Sequence, residues 1–362
     1  MPKLSGGARG RDSFLDLLRG LAALNIILIH TAFWSGEAYV PTAIRSATLA
    51  VDVPFFFFLS GWSMSYVRSL KKSLLSLLNT YLKYLVFLAA YWALLLGLRA
   101  AFGRDGGLTL ENLLANLWFQ SAGNTALPVV MGSIWFMQVY CLVIPAGALV
   151  CWLALWLSGG ERRLLNLLLG VALAADLFGL VFTWRGGTVP WLPLDVRFCF
   201  YLAFVLLGLL CRETSIPRLS WALGLIGAEA ALMLLAARRL GLNWTNMQDM
   251  KFPPNVVYFF FSLISVTAAL WLRGRRLSPS PGNPLCRIGR AALLFYFCQG
   301  IGASVLMMLI HRVELVWYLK LPLAYCINLA VTLVCVVLLA GLYRLVFRPL
   351  PNKGGSRERL RL

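Results

Sequence analysis

Long apolar runs broken by short basic clusters set the pattern of the chain. A bilayer core about 30 Å thick needs roughly 20 apolar residues per spanning helix at 1.5 Å each. Ten stretches meet that need, at about 14–34, 49–67, 84–101, 133–157, 164–184, 197–211, 219–237, 255–272, 291–310 and 322–346. The pattern therefore predicts an all-α polytopic transmembrane helix bundle. Residues 1–12 form a cytoplasmic N-terminal segment, 13–347 the membrane domain, and 348–362 a basic, disordered cytoplasmic tail. The run from Leu17 to Ile29 lacks a small-residue cleavage site and reads as a retained first span. Between 103 and 132, the segment LTLENLLANLWFQ has apolar positions at helical spacing, which predicts a short helix lying in the membrane interface. No internal repeat is evident.

Composition agrees with that pattern. The 362 residues are 60% hydrophobic and 13% charged, whereas soluble domains are about 45–50% apolar and about 25% charged. That excess excludes a soluble enzyme. The net charge of +19 would point to nucleic acid in a soluble chain, but no basic stripe interleaves with aromatics on a polar domain. It instead fits the positive-inside rule: with both termini inside, 21 of the 33 Lys and Arg fall on the cytoplasmic side and 10 on the other. The expected location is the cytoplasmic membrane of the cell. The eight cysteines lie mostly in apolar runs with no CxxC pair, so they read as small core residues, with no metal site.

Ionisable residues inside spans are costly and usually face a bundle interior or cavity. The first span carries Asp16, Arg19 and His30. Eleven residues at 100° each turn three full circles plus about 20°, so Arg19 and His30 share a face about 16 Å apart. Asp16 is within ion-pair reach of Arg19. Arginine suits a phosphorylated donor arriving from the cytoplasm, and a neutral His30 can accept a hydroxyl proton. The alternative is that Arg19 snorkels to headgroups and His30 satisfies a neighbouring polar group. Asp176 and Glu229 lie at a depth comparable to His30, so the three are expected to line one cavity, the acids supporting His30 in catalysis; alternatively each acid pairs locally with another helix. Pro54 and Gly61 predict a bend in the second span, and Ser60-Gly61 a close backbone approach. Asp52, at its outer end, binds an acceptor or caps the helix. No Walker A, HExxH or GxGxxG motif is present.

The D-x-x-R-G-L-A-A-L…H pattern of the first span resembles the acyltransferase-3 family of integral membrane acyltransferases. VPFFFFLSGW at 53–62, SIWFMQVY at 133–140 and FYFCQGI at 295–301 extend the resemblance, and KFPPNVVYFF at 251–260 is similar to a segment of polysaccharide-modifying members. The resemblance implies ten spans and an acyl-CoA donor, usually acetyl-CoA, on the cytoplasmic side. It further implies transfer to a hydroxyl of a glycan or other acceptor, with His30 as catalytic histidine and Arg19 as its partner. Two departures stand out. The R-x-x-R after the second span is here Arg68 followed by Lys71, and a histidine in the span near 291 is replaced by Gln299. The combined reading puts CoA on Asp16, Arg19, Arg68 and Lys71, and the acceptor near Asp52, Trp135, Arg197 and Gln299. A polytopic transporter or flippase for a sugar or lipid is the alternative, since such proteins also carry midplane acids and histidine.

Overall fold

The computed structural model describes residues 12–67, 69–103, 107–122, 125–184, 195–277, 279–280 and 282–347. The 1–11 segment, the tail from 348 and Arg68 lie outside them. Fifteen α-helices and no β-strand are present among the described residues. The first half of the chain holds α1 (Ser13–Trp34), α2 (Thr42–Thr48), α3 (Val53–Val67), α4 (Leu70–Phe102), α5 (Leu110–Leu117), α6 (Pro128–Ser133) and α7 (Trp135–Leu157). The second half holds α8 (Arg162–Trp184), α9 (Val196–Leu210), α10 (Leu219–Leu240), α11 (Met247–Lys251), α12 (Val256–Gly274), α13 (Pro284–Arg290), α14 (Ala292–Leu309) and α15 (Trp317–Val346).

Nine helical segments among the described residues are long and apolar enough to cross a bilayer. The tenth expected crossing is α9, which has only 15 residues, ten of them buried. Being enclosed by protein, it has no need to match the full hydrocarbon thickness. Contacts group the helix ends into two sets. Ser46 Oγ donates to Thr245 O (2.7 Å), and Lys320 pairs with Glu37 (2.7 Å) at the His30 end of α1. At the Arg19 end, the Arg273 guanidinium lies over Trp62 (4.5 Å) and the Cys286 thiol donates to Ser13 O (3.3 Å).

The second expected span, 49–67, divides. Leu49–Val51 is a 3₁₀ turn, Asp52 is extended (φ −120°, ψ −160°), and α3 begins at Val53 with Pro54 in its first turn. Proline is suited to that position because the first N–H groups of a helix have no intrahelical acceptor. No break occurs at Gly61: α3 is continuous through it. The close approach is present. A Cβ on Gly61 would lie 2.0 Å from Val205 O, and one on Gly208 would lie 2.1 Å from Phe58 O, so α3 and α9 cross backbone to backbone. Gly208→Val should destabilise the protein by about 1–3 kcal/mol or more through overpacking. Gly224→Val, where nothing lies within 4 Å, should not. Thermal melting of the two purified variants in detergent checks this.

Below that crossing, the Phe57 ring meets Tyr201 (4.7 Å), Phe136 (5.2 Å) and Tyr140 (5.9 Å), tying α3 to α7 and α9. The third expected span also starts earlier, since α4 is a single helix from Leu70 to Phe102 with Ser69 as its N-cap. The short helix expected near 103–132 is α5, and it docks along α4. Buried Asn112 and Asn116 face inward, the Asn116 amide oxygen accepting from Trp92 Nε1 (3.0 Å), while Leu110, Leu114 and Trp118 point outward. All eight cysteines are free, four of them buried and Cys326 exposed.

Candidate active site

Helix α1 is capped by Asp12, whose side chain accepts from the Phe14 and Leu15 amides, and continues unbroken past His30. Arg19 and His30 thus keep their common face, about 16 Å apart along the axis. Arg19 pairs with Asp16 (3.5 Å), which is almost fully buried, and donates to Ser63 Oγ on α3. The Arg19 charge also acts on Tyr140 of α7.

A cavity of about 160 Å³ lies between α1, α3, α4, α7 and α14. Its walls include Ile26, Val53, Ser60, Met137, Tyr140 and Tyr296. Ser60 is one helical turn from the Arg19 partner Ser63, Ile26 is one turn before His30, and Val53 adjoins Asp52. The cavity therefore runs lengthwise between the levels of the arginine and the histidine, and its walls are chiefly apolar.

At the far end, His30 is half-buried and its Nδ1 is a buried atom with no hydrogen-bond partner among the described residues. The charged groups that act on it are Lys251 and Asp52. Asp52 Oδ2 receives Lys251 Nζ (2.6 Å) and the Tyr258 hydroxyl (2.7 Å), while Oδ1 is buried without a partner. Both side chains of this ion pair are buried, at 8% and 1% exposed. The Lys251 ammonium also faces the rings of Phe252 (5.3 Å) and Trp135 (5.5 Å). Asn25, one helical turn before Ile29, holds the segment leading to Asp52 by donating to Thr48 O (2.8 Å) and Val51 O (2.7 Å).

Asp52 does not cap α3 with its side chain; it is consumed by Lys251 and Tyr258. Trp135 joins this group through Lys251, and Arg197 stands at its rim. Arg197 is paired with Asp195 (2.5 Å) and lies one turn from Tyr201, whose ring packs on Trp135 (6.2 Å). Gln299 is fully buried on α14, one turn beyond Tyr296, with both amide atoms unpartnered. Lys71 is exposed in a groove beside Ser69, four leucines of α4 and Trp152.

Neither Asp176 nor Glu229, expected to share a cavity with His30, lines the cavity described above. Asp176 lies on α8 one turn before Gly179, which meets Cys199 of α9, and Glu229 on α10 accepts from Thr267 Oγ1 of α12 (2.6 Å). Helices α8 and α10 are peripheral, with most of their surface outside the bundle, so depth alone does not bring their acids to α1. Equal depth fixes only one of three coordinates.

Lys251 and Tyr258 are absent from the residues singled out by sequence. The available signal was a lone lysine before two prolines in KFPPN, at a loop between two long apolar runs. Among the described residues, no three His, Cys, Asp or Glu side chains group as metal ligands would.

No curated protein and no solved structure matches the chain. The family model described as an acyltransferase domain matches residues 12–341, nearly the whole length and every element of the site above. The chain belongs to the acyltransferase-3 family of membrane acyltransferases.

Proposed function

We propose that the protein moves an acyl group, acetyl in the simplest case, from acyl-CoA to a hydroxyl of a cell-surface or exported glycan, with His30 as general base. The observation that supports this best is the arrangement along α1. An arginine paired with Asp16 stands at one end, an imidazole at the other, and an apolar cavity runs between their levels.

In this reading the Arg19 end faces the cytoplasm, as the distribution of basic residues favours. Arg19, held by Asp16 and Ser63, takes CoA phosphate through its planar fork. Lys71, at the start of α4, adds positive charge for the donor, and the pantetheine arm follows the cavity. The acceptor enters from the His30 end beside Trp135, Phe252 and Arg197, where aromatic faces suit the apolar face of a sugar ring. His30 Nε2 takes the hydroxyl proton as the oxygen attacks the thioester carbonyl carbon. The tetrahedral adduct then expels the CoA sulfur, which recovers the proton from the imidazolium. Asp176 and Glu229 have no step here, since both stand on the peripheral helices α8 and α10 and Glu229 is engaged by Thr267.

The test is incubation of the detergent-purified protein with labelled acetyl-CoA. Saturable binding and release of CoA thiol above the protein-free rate are expected. Solute counterflow in proteoliposomes with no acetyl-CoA binding would overturn the reading in favour of a transporter.

A further inference from the structure

Taking two charges out of water costs several kcal/mol per ion, and a well-packed apolar pair often stabilises a fold as well. The buried Lys251–Asp52 pair is therefore poorly explained by stability alone. Its geometry offers another use. Asp52 Oδ2 is occupied twice, by Lys251 Nζ (2.6 Å) and by the Tyr258 hydroxyl (2.7 Å), while Oδ1 has no partner. His30 stands one turn beyond Ile26, which shares a cavity wall with Val53 next to Asp52. The Asp52 charge acts on the ring, and His30 Nδ1 is likewise buried and unpartnered among the described residues. One is a carboxylate acceptor, the other a ring nitrogen able to carry a proton.

Both donors to Asp52 come from one folded unit, KFPPNVVY. Asn255 closes it, its amide donating to Met250 O (3.1 Å) and its side chain accepting from the Val257 and Tyr258 amides (3.0 and 3.2 Å). The unit is fastened to α2 through Ser46 Oγ, which accepts from the Met247 amide (3.0 Å). Its two donors thus fix the Asp52 carboxylate from one side and leave Oδ1 on the other.

We propose that Asp52 is the positioning residue for His30: Oδ1 accepts the Nδ1 proton of the neutral imidazole, and Lys251 with Tyr258 hold the carboxylate in the orientation that presents it. Nε2 is then left as the basic nitrogen. Catalytic hydrogen bonds of this kind are commonly long in unloaded enzymes and tighten with substrate bound. The inference rests on the reading of His30 as the base, and it reassigns Asp52 from acceptor contact to support of that base.

The chain has only two histidines, and the exposed His311 can be replaced by glutamine to leave one. Nitrogen-15 NMR of histidine-labelled H311Q protein in detergent then reads the tautomer of His30 directly. The expected result is a neutral imidazole protonated at Nδ1; a predominantly Nε2-protonated ring would overturn the proposal without reference to activity. In the same background D52N should lose the Nδ1–H preference and lower kcat for acetyl-CoA turnover by on the order of 10²-fold, with KM for acetyl-CoA unchanged. Because D52N strands the Lys251 charge, the neutral pair D52N/K251M is the control for folding. It should melt like the parent and keep the lowered kcat and the shifted tautomer. A D52N/K251M protein with parental kcat and parental tautomer would show the pair to be structural only and would overturn the proposal. Full turnover in His30→Ala would instead remove His30 as base, and the tautomer measurement would still decide whether Asp52 contacts it.

Discussion

Alanine at His30 is expected to lower acetyl-CoA turnover by about 10²–10⁴-fold, the usual contribution of a positioned general base, while the protein still inserts and purifies as a single species. The second half of that expectation follows from the surroundings of the ring. His30 is half-buried, its Nδ1 has no hydrogen-bond partner, and the adjacent charges Lys251 and Asp52 neutralise one another. Removing the imidazole therefore breaks no ion pair. Saturable acetyl-CoA binding should survive, because the proposed phosphate contacts lie about 16 Å away on the same helix. Thiol release at the parental rate in a well-folded H30A protein would defeat the assignment of the base.

Arg19→Lys should show the opposite division. Lysine keeps the charge opposite Asp16 but replaces a planar fork with a point charge. Loss of a charge-assisted hydrogen bond is worth about 1.5–3 kcal/mol, so KM for acetyl-CoA should rise roughly 10- to 100-fold with kcat little changed. Arg19→Ala is the harsher test, since it also leaves almost fully buried Asp16 without its neighbouring arginine. Steady-state kinetics of R19K against H30A separates the two roles: one raises KM, the other lowers kcat. A fall in kcat alone for R19K would move Arg19 from donor binding to the chemistry.

What the sequence discloses follows from how local each feature is. Three helical turns separate Arg19 from His30, so their shared face is a property of one helix and can be counted from the chain. The spans are legible for the same reason, because hydropathy is a property of contiguous residues. Boundaries shifted where a local device intervened, as at Asp52, where an extended residue separates a 3₁₀ turn from a helix begun at Pro54. The surroundings of His30 are another matter. Tyr258 and Asp52 are 206 residues apart, and Lys251 ends the short helix α11, where by sequence its charge reads as one more basic residue outside the membrane. Asp176 and Glu229 illustrate the converse. Their depth was readable, but their bearing around the bundle was not, and that bearing turned them toward Cys199 and Thr267.

The crossing of α3 and α9 bears on how the protein is assembled in the membrane. A helix of 15 residues is about 22 Å long, short of the roughly 30 Å hydrocarbon layer, and most of its surface is covered by protein. Its seat on α3 consists of bare backbone at Gly61, against which Val205 closes without an intervening side chain. In chain order α3 precedes α9 by more than a hundred residues, so that seat is made before its occupant. Insertion and packing are then separable for this chain, and the packing step sets α9 behind α3. Anything that holds α9 back leaves the Gly61 backbone of α3 without its partner.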